Sequence, residues 1–395
     1  MPVWLCLVAA LYVSGLAYAT DAAPAASAAS AVAVQPAPHI ALLLPLKSAD
    51  FGRAAEAVRQ GFLAAAASQP ETLPVRVYEC ADESTEITAL YQRALAEGAR
   101  AVAGPLTRNG VAALAAYPGI AVPTLALNLA EGNGAEQLYF FGLSAESEAR
   151  QIAQIAAATG LRSASIVSSG TPLSIRLSQA FAQEWKTLGG SVAKEILYQD
   201  DSAVLADIPA TKGNMVFLAA DAQTAHLIRP YLNIALPVYG TSQLFSGNTD
   251  ALTNYDLNDV RFVDMPWLLQ PDHPAVMVYP RPNPPLGPDR ERLYALGIDA
   301  FRLLQIMLDN TPRHSLPLDG VTGRLRLNDR RQFQREVIPA QFRYGQGLTP
   351  EEITAYEAAL AVARAVAESG VAPASAVADI SAISGVAIPV AAPPP

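Results

Sequence analysis

Apolar and polar positions along the chain follow two periods in turn. "HIALLLPL", from His39, is a continuous apolar run of strand length. After a turn, "AAEAVRQGFLAAAA" places Ala55, Val58, Phe62 and Ala65 on one helical face. "PVRVYEC" predicts the next strand, and "STEITALYQRALAEGA" a helix with Ser84 as N-cap and Gly98 past its C-terminal end. "RAVAGPL", "VPTLALN" and "LYFFGLS" predict further strands, with a short helix near Val111 to Tyr117. Strands without polar relief are covered on both faces, and strand–helix succession implies a parallel sheet with helices on both sides.

A second round begins at Ala145. "AESEARQIAQIAAATG" predicts a helix closing on Gly160, "SASIVSS" a strand and "LSIRLSQAFAQEWKTLGG" a long helix ending in a glycine pair. "GNMVFLAA" is a strand, "DAQTAHLIRPYLN" a helix capped by Asp221, and "LPVYGTS" another strand. The expected fold class is therefore α/β, with two doubly wound parallel-sheet lobes joined by crossover strands. "DVRFVDMPWLL", Asp259 to Leu269, has little polar relief and is expected to run through an interlobe crossover. Pro266 would sit on an edge or crossover strand, and Trp267 would be buried. A proline-rich passage, Pro271 to Pro288, precedes the helix "DRERLYALGIDAFRLLQIML" with Leu293, Leu296, Ala300, Leu303 and Met307 inward. Two last strands, "GRLRLN" and "IPAQFRYG", need a sheet to join.

The expected organisation is a signal peptide at 1–19, an Ala/Pro-rich linker at 20–38, lobe 1 from 39–144 plus 270–347, and lobe 2 from 145–269 ending in the crossover. A C-terminal helix at 348–370 and a disordered tail at 371–395 complete it. The signal rests on the apolar run from Val3 to about Leu16 and on "AYA" before Thr20, with cleavage after Ala19, although no Lys or Arg precedes Lys47. An uncleaved anchor is the alternative, and both imply export. Cys6 follows "VWL" rather than the small residues that lipoprotein processing prefers.

At 395 residues the chain exceeds the usual reach of a single core, and 51% hydrophobic with 16% charged residues excludes a disordered chain. A formal charge of −9 gives no electrostatic reason to bind nucleic acid. Of the two cysteines, Cys80 is expected to be a buried, inert thiol. "GPLTRNG" lacks the lysine and Ser/Thr of a phosphate loop, and reads as a strand-to-helix turn capped by Thr107 or Asn109. "NYDLND" lacks the glycine and the glutamate of a calcium loop, and the four histidines are scattered. Neither a G-x-S-x-G elbow nor any other catalytic constellation is present, so neither an enzyme nor a cofactor is expected. The acidic pair Glu146 and Glu148 reads as a solvated first helical turn. What remains are polar residues at carboxyl ends of strands, where open parallel sheets bind ligands. Ser48, Thr107, Asn128, Ser144, Ser168, Ser169, Thr171, Thr241 and Ser242 are the candidate lining of an interlobe cleft, each with a helix cap or turn as its alternative role.

Two consecutive doubly wound lobes behind an export signal resemble the type I periplasmic binding-protein fold. "IALLLPLKSADFGRAAEAVRQGFLAA", "AVAGPLTRNGVAALA" and "FFGLSAESEARQIAQIAA" look like its first-lobe strands and helix starts. More narrowly, "YGTSQLFSG", "VRFVDMPWLL", "LYALGIDAFRLL" and "GVTGRLRLNDRRQFQREVIPAQFRYGQG" resemble the penicillin-binding protein activator (LppC) family, over about Ile40 to Gly347. The resemblance implies a non-enzymatic periplasmic regulator at the inner face of the outer membrane, whose partner is a bifunctional penicillin-binding protein. Larger members carry a helical-repeat domain ahead of this one; this chain departs from that pattern, with a short Ala/Pro-rich linker ahead of Ile40, and is expected to be a short form. The competing class is a periplasmic receptor for an amino acid or similar small metabolite, serving an ABC transporter. Amino-acid receptors of this fold resemble one another at a "YG-x-G" turn, where this chain has "SSGTPLS".

Overall fold

The computed structural model describes residues 36–368 apart from 131, 133, 249–251 and 310–315. The expected signal peptide, all but the last residues of the linker, and the 371–395 tail lie outside the described residues.

The first run comprises β1 (His39–Leu44), α1 (Gly52–Ala67), β2 (Val75–Glu79), α2 (Glu83–Ala96), β3 (Ala99–Ala103), α3 (Arg108–Ala115), β4 (Thr124–Ala126) and β5 (Leu138–Phe141). The second comprises α4 (Ala145–Ala158), β6 (Ser163–Ser168), α5 (Pro172–Thr187), β7 (Ser191–Leu197), β8 (Asn214–Ala219), α6 (Ala222–Ile228), β9 (Val238–Gly240) and β10 (Arg261–Asp264). The remainder is α7 (Pro266–Leu269), α8 (Pro274–Met277), α9 (Pro288–Leu308), β11 (Leu318–Gly320), β12 (Gly323–Leu327), β13 (Gln332–Glu336), β14 (Ile338–Arg343), β15 (Gln346–Leu348) and α10 (Pro350–Glu368).

Two sheets result. The first runs β11-β12-β13-β5-β4-β3-β1-β2 and the second β15-β14-β10-β9-β8-β6-β7. Pairing from β2 through β5 to β13, and from β7 to β10, is parallel, and the later strands add antiparallel edges. The parallel part of each sheet reverses its strand order at one place, between β1 and β3 in the first and between β6 and β8 in the second. Crevices open at such switch points, beyond the carboxyl ends of the strands.

The unrelieved apolar runs are strands serving two cores at once. In β1, Ile40, Leu42 and Leu44 enter the core shared with α1 and α9, while Ala41 and Leu43 enter the core under α2 and α3. In β8, Val216 and Leu218 face one core while Met215, Phe217 and Ala219 face the other. Helices α1 and α9 approach until their backbones touch, because a Cβ at Gly61 would lie 1.8 Å from the Tyr294 carbonyl oxygen and one at Gly297 2.2 Å from that of Val58.

Several local expectations change. Asp82, not Ser84, caps α2, its carboxylate accepting from the Ser84 amide. Thr107 caps α3 and Asp221 caps α6 as expected. Strand β7 is exposed at alternate positions, Ser191, Ala193, Glu195 and Leu197, and β13 exposes Gln334 and Glu336, so neither is legible as an apolar run. The segment from Asp259 to Leu269 does pass between the cores: Phe262 and Leu269 pack in the second lobe, Met265 and Trp267 in the first. Trp267 is fully buried. Pro266, however, lies in no strand; it opens α7, where the amide it lacks has no helical partner to lose. Residues 270–347 do not all return to the first lobe. β11, β12 and β13 do, but the chain crosses again after Glu336, and β14 pairs antiparallel with β10, extending the edge of the second sheet.

Candidate functional site at the lobe junction

Four of the nine candidate residues are helix or turn caps. Thr107 accepts from the Gly110 amide, Ser144 from that of Ser147, Thr171 from that of Ser174 and Thr241 from that of Gln243. Ser48 accepts from the Phe51 amide, and Asn128 donates to the Leu106 carbonyl. Ser168 shares a hydrogen bond with Ser174 at 2.9 Å, and Ser169 lies 3.5 Å from Thr171. Ser242 is buried, and its amide and hydroxyl both donate to Glu148 Oε2, at 3.2 and 2.7 Å. All nine thus have an internal partner.

Three of them are drawn together by the charged residues on the helices they cap. Thr107, Ser144 and Thr171 cap α3, α4 and α5, and the opening turns of those helices supply Arg108, Glu146 and Arg176. Glu146 Oε1 accepts from Arg108 Nη2 at 3.0 Å and from Arg176 Nε at 2.8 Å, so one carboxylate ties the first lobe to the second across the strand ends. Burial pushes the Glu146 carboxyl up, but the bonds from Arg176, its own amide and Arg108 outweigh it and hold its pKa at about 2. Thr241 and Ser242 belong instead to a deeper cluster, and described contacts link Ser48 and Asn128 to neither.

The deeper cluster sits where the chain crosses between lobes. Glu148 of α4 accepts from Arg335 of β13 at 3.0 Å as well as from Ser242, and both charged side chains are over nine-tenths buried. Arg292 of α9 reaches from the first lobe to Asp264 at the end of β10, its Nη2 donating to Oδ2 at 2.6 Å and to the Ser242 and Phe245 carbonyls at 2.9 and 2.8 Å. Burial pushes the Asp264 carboxyl above its ordinary range in spite of the Arg292 guanidinium beside it. Nearby, Asp299 of α9 accepts from the amides of Val321 and Thr322 and from the Thr322 hydroxyl.

Beyond the end of β3, at the switch point of the first sheet, stand the amides of Leu106 and Thr107, donors of the kind that hold an anion. The chain's own Glu83 accepts from both, at 2.9 and 2.6 Å. Glu83 is buried, which is the largest influence raising its pKa against the lowering effect of those bonds.

The sequence reading missed Glu83, Glu148, Asp264, Arg292, Asp299 and Arg335. Glu146 and Glu148 are corrected in particular: neither occupies a solvated turn, because each is covered by an arginine from the other lobe. A signal existed for Asp264 and Asp299, which are charges inside otherwise apolar runs; Arg292 closes the charged run Asp289–Arg292 and carried none. Two surface hollows, of about 600 and 590 Å³, lie elsewhere: one near Arg100, Gln137 and Met307 at the opposite ends of the strands, the other beside Arg53, Glu56 and Arg290 along α1. Neither is lined by any of the nine candidates. Asp256 and Asp259 of the "NYDLND" segment are taken by His226 and Arg343. Cys80 is buried, and burial, with Glu83, Glu86 and Asp82 adding to it, pushes its thiol up to about 12.

Comparison with known proteins places this geometry. The family model described as "LppC putative lipoprotein" matches residues 19–211 and 205–345. The "Penicillin-binding protein activator LpoA" of Photobacterium profundum is 26% identical over 79% of this chain and 57% of its own length. The chain thus spans little more than half of that curated relative. A Chromobacterium violaceum structure described as a "putative branched-chain amino acid ABC transporter" is 37% identical, with a TM-score of 0.66, over 77% of this chain and 99% of its own. The Haemophilus influenzae LpoA C-domain, described as a regulator of PBP1A, superposes with a TM-score of 0.65 at 24% identity over 79% of this chain and 99% of its own. The two-lobed architecture is the type I periplasmic binding-protein-like fold.

Proposed function

The chain belongs to the LppC family, and on that premise we propose that it is a non-enzymatic periplasmic regulator of peptidoglycan synthesis, which contacts a bifunctional penicillin-binding protein and stimulates its cross-linking activity at the inner face of the outer membrane. The observation that carries the proposal is the state of the crevice. In a receptor of this fold, backbone amides and hydroxyls at the strand ends must be free to take a ligand. Here Glu83 takes the Leu106 and Thr107 amides, and Glu148 takes the Ser242 amide and hydroxyl. A small anionic solute would have to displace a buried carboxylate of the chain itself, leaving that charge unpaired. A regulator needs no such vacancy, only a fixed shape and a surface. Adding the purified protein to a reconstituted bifunctional synthase should raise peptide cross-linking, and unchanged cross-linking would sink the proposal.

The second reading is a solute receptor of an ABC transporter, and the Chromobacterium violaceum structure favours it by its 37% identity over nearly its full length. A panel of amino acids and small metabolites distinguishes the two. A receptor's melting temperature rises with ligand as RT ln(1 + [L]/Kd) accumulates, whereas a regulator's stays flat.

A further inference from the structure

On the second lobe, α6 ends at Ile228 and the chain continues through a single 3-10 turn, Arg229–Tyr231, which packs against another, Tyr255–Leu257. His226 Nδ1 and Asp256 Oδ1, 2.8 Å apart, tie the two together. Large apolar side chains stand out from these elements: Leu227 is 51% exposed, Tyr231 60%, Ile234 83% and Tyr255 62%. Beside these side chains lies a guanidinium whose Nε has no hydrogen-bond partner among the described residues. Arg229 is only 7% exposed, its Nε is buried with no acceptor, and among the described residues no carboxylate pairs with it. The contrast with Arg292 and Arg335 is plain, since each of those buried guanidiniums meets a carboxylate. A second orphan, Asn254 Oδ1, lies at the start of the neighbouring turn. A buried polar group left unsatisfied is destabilising, more so if charged, and a chain of net charge −9 had carboxylates to spare for it.

We propose that this patch is a docking surface for a protein segment that presents a carboxylate to Arg229 between apolar side chains resting on Tyr231, Ile234 and Tyr255. Charge complementarity selects the occupant's acidic group. Two tyrosines, an isoleucine and an arginine in one patch are the composition of interface anchors, and a small anion alone would leave those apolar side chains in water. The inference rests on the proposed function in taking the occupant to be a segment of the synthase.

The test immobilises a detergent-solubilised bifunctional penicillin-binding protein and measures binding of the full chain as wild type, Arg229→Gln, Ile234→Asp and the control Leu188→Asp. Leu188 closes α5, which packs in the core on the opposite face of the second sheet. Losing a charge-assisted contact should weaken Kd about tenfold or more for Arg229→Gln, with a similar loss for Ile234→Asp and a change of under about twofold for the control. Melting temperatures establish that each variant is folded. If Arg229→Gln does not fold, Ile234→Asp decides alone, because that side chain lies on the surface. Wild-type affinity in the folded patch variants overturns the surface while leaving the proposed function standing, and so does an equal loss in the control. If the wild type itself fails to bind, both fall.

Discussion

Replacing Arg292 with methionine tests whether the lobe junction is held by charge or merely by packing. The guanidinium makes bonds of 2.6, 2.9 and 2.8 Å to Asp264, the Ser242 carbonyl and the Phe245 carbonyl, and a fourth of 2.8 Å to the exposed Asp289. Methionine fills much of the same volume, so the packing loss is small; the loss of partners is not. Asp264 has 1% of its side chain exposed, and would be left a buried carboxylate whose remaining donor is the Met265 amide. Breaking a buried pair from one side costs about 3–5 kcal/mol. Asp264 can lower that cost by taking up a proton, since burial already pushes its pKa above the ordinary range even with Arg292 present. That direction sets the sign. A carboxyl whose folded pKa is raised is comfortable below its unfolded value of about 4 and loses stability as pH rises through the folded value, so the deficit of the variant should widen from pH 5 to pH 8. At neutral pH, 3 kcal/mol corresponds to a melting-temperature drop of roughly 4–5 °C for a folded body of about 320 residues, whose unfolding entropy is about 2.1 cal/mol/K per residue. Calorimetry of wild type, Arg292→Met, Asp264→Asn and the double variant at both pH values reads this out, the double variant recovering part of the loss. A drop of under about 2 °C, or a deficit that shrinks as pH rises, would mean that packing alone holds the junction.

Glu146→Gln removes the carboxylate that ties Arg108 to Arg176; because that carboxyl's folded pKa is about 2, its stabilisation is present above about pH 4.5 and disappears as pH falls toward 2. Wild type should therefore lose melting temperature over that window by more than the Glu146→Gln variant does. Gly297→Ala should gain at most about 1 kcal/mol of helix propensity, yet destabilise the protein overall by about 1–3 kcal/mol, since its Cβ would lie 2.2 Å from the Val58 carbonyl oxygen; urea denaturation measures the balance. With Cys6 replaced by serine, Cys80 should resist a thiol reagent at pH 8 in the native protein and react within minutes in denaturant, because its pKa near 12 and its burial leave almost no accessible thiolate.

Short-range pattern in the chain was enough to specify the two rounds of strand and helix. The reason is physical: a strand covered on both faces must be almost wholly apolar, as β1 and β8 are beyond their first residues, His39 and Asn214, and a helix on a sheet must show its 3.6-residue stripe. Local chemistry likewise decided which residues close the strand ends, because hydroxyls such as Thr107, Ser144 and Thr171 act within three residues of their own positions. It could not show that the first turns beyond those caps meet in one ion-pair bridge, nor that Glu148 awaits Arg335 and Asp264 awaits Arg292. Glu148 and Arg335 are far apart in the chain, and nothing in the local period of either segment records the other. Strands β7 and β15 were illegible for a related reason, since edge strands are held by backbone pairing on one side rather than by an apolar run; β13 is interior but buries only Phe333. Chain packing alone brings Glu83 and Glu148 onto the strand-end donors and leaves Arg229 facing no carboxylate among the described residues. Those pairings depend on which distant segments the crossovers bring side by side, and desolvation at the junction then makes each one matter.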